Sequence, residues 1–130
     1  EFEFEFSGTD GNSTATLIGY NGAGGDVVIP SETVNTEAGW ESSSPVTVIG
    51  SNAFYGKQLT NVNVPDGVTS LGVFAFYDNQ LTNVELPDTI MNMGSYAFAL
   101  NELTDIYIPE SVTSFGTGVF QGSPLQYIET

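Results

Sequence analysis

One interval governs this sequence: apolar side chains, prolines and glycines return every 22 residues from about Gly50 onward. The clearest copy is LTNVNVPDGVTSLGVFAFYDNQ, Leu59 to Gln80. Leu59 returns as Leu81, Leu103 and Leu125, and Val62 as Val84, Ile106 and Ile128. Val64 returns as Leu86 and Ile108, and Pro65 as Pro87 and Pro109. In the second half Phe54, Phe76, Phe98 and Phe120 share one register. Gly50, Gly72, Gly94 and Gly116 share another, each just after Ile49, Leu71, Met93 or Phe115. A constant period of this length means a stack of like coils, because one copy cannot bury its apolar face alone.

Each copy divides into three runs. Alternation over Thr60 to Val64 predicts a strand with Val62 and Val64 inward and Asn61 and Asn63 outward. The proline that follows removes a ladder donor where pairing ends. The V-T-x-L-G run, Val68 to Gly72, reads as a second extended segment turned by its glycine. Ala75 to Asn79 reads as a short turn or single helical turn that buries its phenylalanine.

These residues carry a resemblance. A copy of the form L-T-x-V-x-I-P-x-x-V-T-x-I-G-x-x-A-F-x-x-N-x resembles the BspA-type leucine-rich repeats of bacterial surface and secreted proteins. The stretch TATLIGYNGAGGDVVIP is similar to the lead-in before such repeats, so the resemblance covers roughly residues 14 to 130. Departures are small: Val119 stands where other copies have Ala53, Ala75 and Ala97, and Thr130 where an aliphatic residue is expected. The resemblance implies a mainly β repeat solenoid, a right-handed stack of coils, used for attachment and protein–protein contact. It implies no catalytic residues and no cofactor. It also implies an extracellular or cell-surface location, with any signal peptide outside this chain.

Ahead of the repeats stands EFEFEF, with Phe2, Phe4 and Phe6 on one face of a strand and Glu1, Glu3 and Glu5 on the other. Turn residues Ser7 to Ser13 lead into a returning strand, Thr14 to Tyr20, so residues 1–25 read as a β-hairpin cap and 26–130 as the solenoid. The alternative is a strand donated to a neighbouring molecule. Asp26 to Pro30 reads as the first ladder strand. Pro30 to Pro65 is 35 residues, 13 more than one period, which places an inserted loop at about 32–45. It carries the lone tryptophan, Trp40, either folded over the first coil's edge or exposed as a contact residue. The last coil stops within a strand at LQYIET. Such an end is cut from a longer array, suffices as it stands, or is covered by a neighbour.

Charge and composition remove several functions. Sixteen Asp and Glu stand against one cation, Lys57, a formal charge of −15 in 130 residues. Such a chain repels nucleic acid and anionic membrane surfaces. Without cysteine there is no disulfide, thiol nucleophile or thiolate metal site; without histidine the commonest general base and metal ligand is missing. No G-x-S-x-G elbow or P-loop occurs, and no 18-residue apolar run that would insert in a membrane. An enzyme is not expected. Asp66, Asp88 and Glu110 follow the prolines in register, a row that splays into water or takes a cation; no calcium-loop motif accompanies it, and no metal ligands are assigned.

The informative surface is the outward row of the ladder: Asp26 and Val28, Asn61 and Asn63, Asn83 and Glu85, Asp105 and Tyr107, Tyr127 and Glu129. It is polar and acidic, with tyrosines toward the C-terminal end, and suits a basic protein or peptide. The alternative function is self-assembly, end to end, through Phe2, Phe4, Phe6 and the last coil.

Overall fold

Inward-facing side chains that recur at one period meet their own counterparts one coil away, and this builds the molecule. A computed structural model of the chain describes residues 1–8, 12–35 and 42–130. Its strands are, in chain order, β1 (Phe2–Ser7), β2 (Thr14–Tyr20), β3 (Gly25–Val28), β4 (Glu32–Asn35), β5 (Ser42–Ile49) and β6 (Leu59–Asn63). They continue as β7 (Ser70–Leu71), β8 (Asn83–Glu85), β9 (Asn92–Met93), β10 (Asp105–Tyr107), β11 (Ser114–Phe115) and β12 (Tyr127–Glu129). The expected open, mainly β solenoid is what the chain forms.

Each coil contributes a strand to two sheets. The ladder face carries β3, β6 and β8 in parallel, then β10 with β12, also parallel. Register is set by the period: Val62 pairs with Val84, and Ile106 with Ile128. The second sheet runs β1-β2-β5-β7-β9-β11, with Ile49 beside Leu71, Leu71 beside Met93, and Met93 beside Phe115. The glycines after these residues are there for close approach rather than for an unusual backbone angle. A Cβ on Gly72 would lie 2.5 Å from the Ser51 nitrogen, and one on Gly94 would lie 2.6 Å from the Gly72 carbonyl carbon. Only a hydrogen fits where backbones cross so closely.

The N-terminal hairpin forms as expected: β1 pairs antiparallel with β2 from Phe2 against Tyr20 to Ser7 against Thr14. β2 then pairs in parallel with β5, so it also serves as the first strand of the second sheet. The described residues of the insertion are strands on both sides. β4 pairs antiparallel with β5, Glu32 opposite Pro45 and Asn35 opposite Ser42. Trp40 lies outside the described residues.

Of the short turn or single helical turn expected in each coil, the described residues form the short turn. The cause is backbone sign. Asn52, Phe74, Tyr96 and Gly118, one per coil, all have φ between 58° and 62°. Gly56, Asp78, Leu100 and Gly122 form a second left-handed row. Left-handed residues four apart interrupt any helical run. They also turn alternate amides along the stack. Asn52, Phe54 and Gly56 donate N–H to Val73, Ala75 and Tyr77 of the next coil, while Ala53 and Tyr55 bond back to Gly50 and Asn52. Phe74, Phe76 and Asp78 repeat the pattern onto Ser95, Ala97 and Ala99.

The core is one column of rings with aliphatic residues packed around it. Phe54, Phe76 and Phe98 are fully buried and stack with centroids 5.0 and 5.1 Å apart, nearly parallel. That spacing equals the distance between adjacent strands, about 4.8 Å, so rings and backbone keep one rise. Tyr20 begins the column 5.2 Å from Phe54, and Phe120 extends it 5.8 Å from Phe98. Between the column and the ladder lie two buried amides. Asn79 Oδ1 accepts from the N–H of Lys57 and Leu59, each at 3.0 Å, and its Nδ2 donates to the carbonyls of Phe54 and Phe76. Asn101 does the same one coil on, accepting from Leu81 and donating to Phe76 and Phe98.

Candidate functional site

Strand alternation aims every second ladder side chain into solvent, and the parallel register lines these up coil by coil. Asp26 stands opposite Asn61 and Asn61 opposite Asn83; Val28, Asn63 and Glu85 form the neighbouring column. Further along, Asp105 faces Tyr127 and Tyr107 faces Glu129. Tyr107 is 47% exposed and Tyr127 60%. The structure therefore gathers all eight sequence-selected ladder residues, Asn61, Asn63, Asn83, Glu85, Asp105, Tyr107, Tyr127 and Glu129, on one face. That face carries four carboxylates when Asp26 is included, and no lysine or arginine among these outward positions.

The face is not continuous. No ladder hydrogen bond joins β8 to β10 among the described residues, although their coils remain bonded elsewhere. Gly116 still donates to Met93 at 2.8 Å, and Phe98 to Val119 at 2.9 Å. The two coils are thus held at the second sheet and at the turns, and part along the ladder. The opening is a cleft of about 380 Å³ lined by Asn83, Val84, Glu85, Leu86, Asp105, Ile106 and Tyr107. Its floor is Val84 and Ile106, both nearly buried, and its rim is an amide, two carboxylates and a phenol. A second hollow of about 230 Å³ adjoins it, sharing Glu85 and Leu86 and adding Asn63 and Asp66. Asn63 donates to Glu85 at 3.0 Å, which fixes that carboxylate between the two. An apolar floor under a polar, anionic rim is chemistry for holding an extended cationic side chain by stem and head together.

Of the other sequence-selected residues, Asp66 borders this face and the phenylalanines of β1 lie apart from it. Phe2, Phe4 and Phe6 are half-buried against the core, with Phe2 5.5 Å from Tyr20. Asp66, Asp88 and Glu110 are exposed, and no three acidic side chains of the described residues gather as a metal-binding group.

One surface escaped the sequence reading. On the turn side, Phe74, Tyr77, Tyr96, Ala99, Leu100 and Gln121 line a groove of about 230 Å³. Phe74 meets Tyr77 edge-on at 5.0 Å and stacks with Tyr96 at 5.5 Å; Tyr55 lies 5.0 Å from Tyr77. The signal was present in the same register. Tyr55 and Tyr77 form one column and Phe74 and Tyr96 another, both distinct from the buried phenylalanines.

These parallel coils, with open sheets and an outward polar ladder, define a leucine-rich repeat solenoid. The chain belongs to the BspA-type leucine-rich repeat family, whose model matches six copies over residues 38–130. It is similar in structure to a leucine-rich repeat protein from Bacteroides capillosus, 33% identical, with a TM-score of 0.80, over 99% of this chain and 94% of that one. It is similar to a leucine-rich cell surface protein from Faecalibacterium prausnitzii, 26% identical, with a TM-score of 0.72, over 97% of this chain and 40% of that one. It shares its fold with the pneumococcal vaccine antigen PcpA, 18% identical, with a TM-score of 0.81, over 98% of this chain and 36% of that one. No match was found among curated proteins. Repeats of this family are consistent with a protein-binding or surface role, and leucine-rich repeat proteins are in general non-enzymatic binding modules.

Proposed function

We propose that this chain is a non-enzymatic, extracellular adhesion module that binds a basic protein or peptide on its ladder face. The observation that carries the reading is the cleft between β8 and β10, where an apolar floor lies beneath Glu85 and Asp105. A lysine or arginine entering there lays its methylene stem on Val84 and Ile106 and brings its charge to the carboxylates. Tyr107 and Tyr127 extend the contact with large faces that lose little conformational entropy on binding. The location is supported by the family and by the cell surface protein among its structural relatives.

The test is selection of displayed peptides on the immobilised chain, followed by titration of the winners. Lysine- and arginine-containing sequences are expected to enrich. Glu85→Gln with Tyr107→Ser should weaken them about tenfold or more, an effect expected of truncating central contacts. Enrichment without basic residues, or binding indifferent to both substitutions, defeats the reading.

Self-association is a second reading, favoured by one observation: Phe115 and Ile128 are about half exposed, at 49% and 50%, on the outermost strands β11 and β12. Light-scattering mass across a concentration series separates the two. A constant monomer mass removes self-association, and growth that Ile128→Lys abolishes supports it.

A further inference from the structure

The turn-side groove shares no lining residue with the ladder cleft, and it shows an unusual use of aromatic residues. Asn52, Phe74, Tyr96 and Gly118 occupy one backbone position in successive coils, all left-handed. Asparagine and glycine suit that conformation; a bulky aromatic residue is a genuine outlier there. The fold therefore accepts small or polar residues at this position, yet the two middle coils hold rings. Neither ring is fully buried: both are half-buried, and both line the groove with Tyr77 and Leu100. Gly118 is where the next ring would stand, and a Cβ there would lie 2.6 Å from the Tyr96 ring. The Tyr96 ring therefore lies against Gly118 on the turn side, in the place the missing side chain would take. Strained residues held at a surface point to use rather than to packing.

We infer that this groove is a second recognition site, which takes an arginine side chain of a basic polypeptide against the groove-lining surfaces of the Phe74, Tyr77 and Tyr96 rings. The aromatic faces are negative, and the guanidinium is planar and weakly hydrated, so it stacks on such faces better than an ammonium does. Charge complementarity supplies the occupant: with sixteen acidic side chains against one cation, the molecule as a whole draws cationic partners toward its surface. Asp78 follows Tyr77 on the same turn and is exposed. Lys57, the chain's one cation, is one coil back at the Asn79 position. Because it needs aromatic rings rather than carboxylates, this site discriminates arginine from lysine where the ladder cleft accepts both.

The experiment titrates the full chain with hepta-arginine and hepta-lysine at near-physiological salt. Arginine is expected to bind about five- to tenfold more tightly, the preference a partly desolvated ring contact provides. Phe74→Asn combined with Tyr96→Gly, residues the chain already uses at this backbone position, should erase the preference and leave hepta-lysine affinity unchanged. Gln121→Arg, at the exposed groove edge, should erase it too without touching a ring. Glu85→Gln should weaken both peptides alike and leave their ratio intact, so failure at the ladder and failure at the groove are read separately. No arginine preference in the parent chain, or a preference that survives both variants, overturns the inference. So does binding of a neutral oligosaccharide that the ring variants abolish while the peptide ratio stays at one.

Discussion

At the scale of single residues, two kinds of side chain hold the coils in register, and each gives a prediction. Asn79 bonds four backbone groups from two coils, all within 3.0 Å, in a site that is 4% exposed. An amide is the right chemistry because it donates and accepts at once. Asn79→Ala leaves buried donors and acceptors without partners and should cost about 3 kcal/mol; a loss in urea unfolding of under about 1 kcal/mol would show that water replaces the amide. The glycines divide by mechanism. Gly94→Ala places a methyl group against the backbone of the preceding coil and should cost about 1–3 kcal/mol. Gly56 is left-handed with open space around its would-be Cβ, so Gly56→Asn should change stability by less than about 0.5 kcal/mol. Equal costs at both positions would contradict the distinction between close approach and backbone sign. Only the first half of it was legible beforehand: the repeated glycine was visible, but the sequence reading assigned it to turning the chain.

At the scale of elements, the phenylalanine column and the N-terminal hairpin set where stability resides. Phe76 is enclosed between two parallel rings, whereas Phe120 at the column's end is only half-buried. Phe76→Ala should therefore cost about 3–5 kcal/mol, and Phe120→Ala distinctly less. Unfolding midpoints of the two variants in parallel check this, and the reverse order would place the column's anchor at its end. Removal of residues 1–6 strips β1 from β2 and uncovers Tyr20, which Phe2 packs against. That deletion should speed amide exchange in β2 while leaving the strands β7, β9 and β11 protected, as expected where each coil contacts only its neighbours. Loss of protection throughout the stack would mean that the hairpin nucleates the whole solenoid.

At the scale of the whole molecule, charge dominates. With a formal −15, the folded chain concentrates like charges that an unfolded chain spreads apart. Raising salt from low to about 0.5 M shortens the screening length to a few ångströms and should stabilise the fold by about 1 kcal/mol or more. In a melting series this is a rise of roughly 3–5 °C for each kcal/mol, judged against a neutral osmolyte as the control; a flat profile would mean the carboxylates are already spaced beyond each other's reach.

The sequence by itself determined the coil. Recurrence of Leu59, Val62, Pro65, Gly72 and Phe76 at one interval fixes which residues face inward and which neighbour each meets, because the period and the register are one quantity. From that followed the outward row Asn61 to Glu129, while the N-terminal hairpin was legible separately, in the alternation of Phe2, Phe4 and Phe6. Tertiary structure decided what a period cannot encode. The left-handed backbone at Phe74 and Tyr96, which decided for the short turn over a helical one, is a property of turns stitched to the next coil, and propensity opposes it for aromatic residues. The β8–β10 cleft is a difference between contacts that the repeat makes nominally alike. It depends on how two coils tilt when their second sheet and turns stay bonded, a balance of packing across the stack rather than a preference of any one residue.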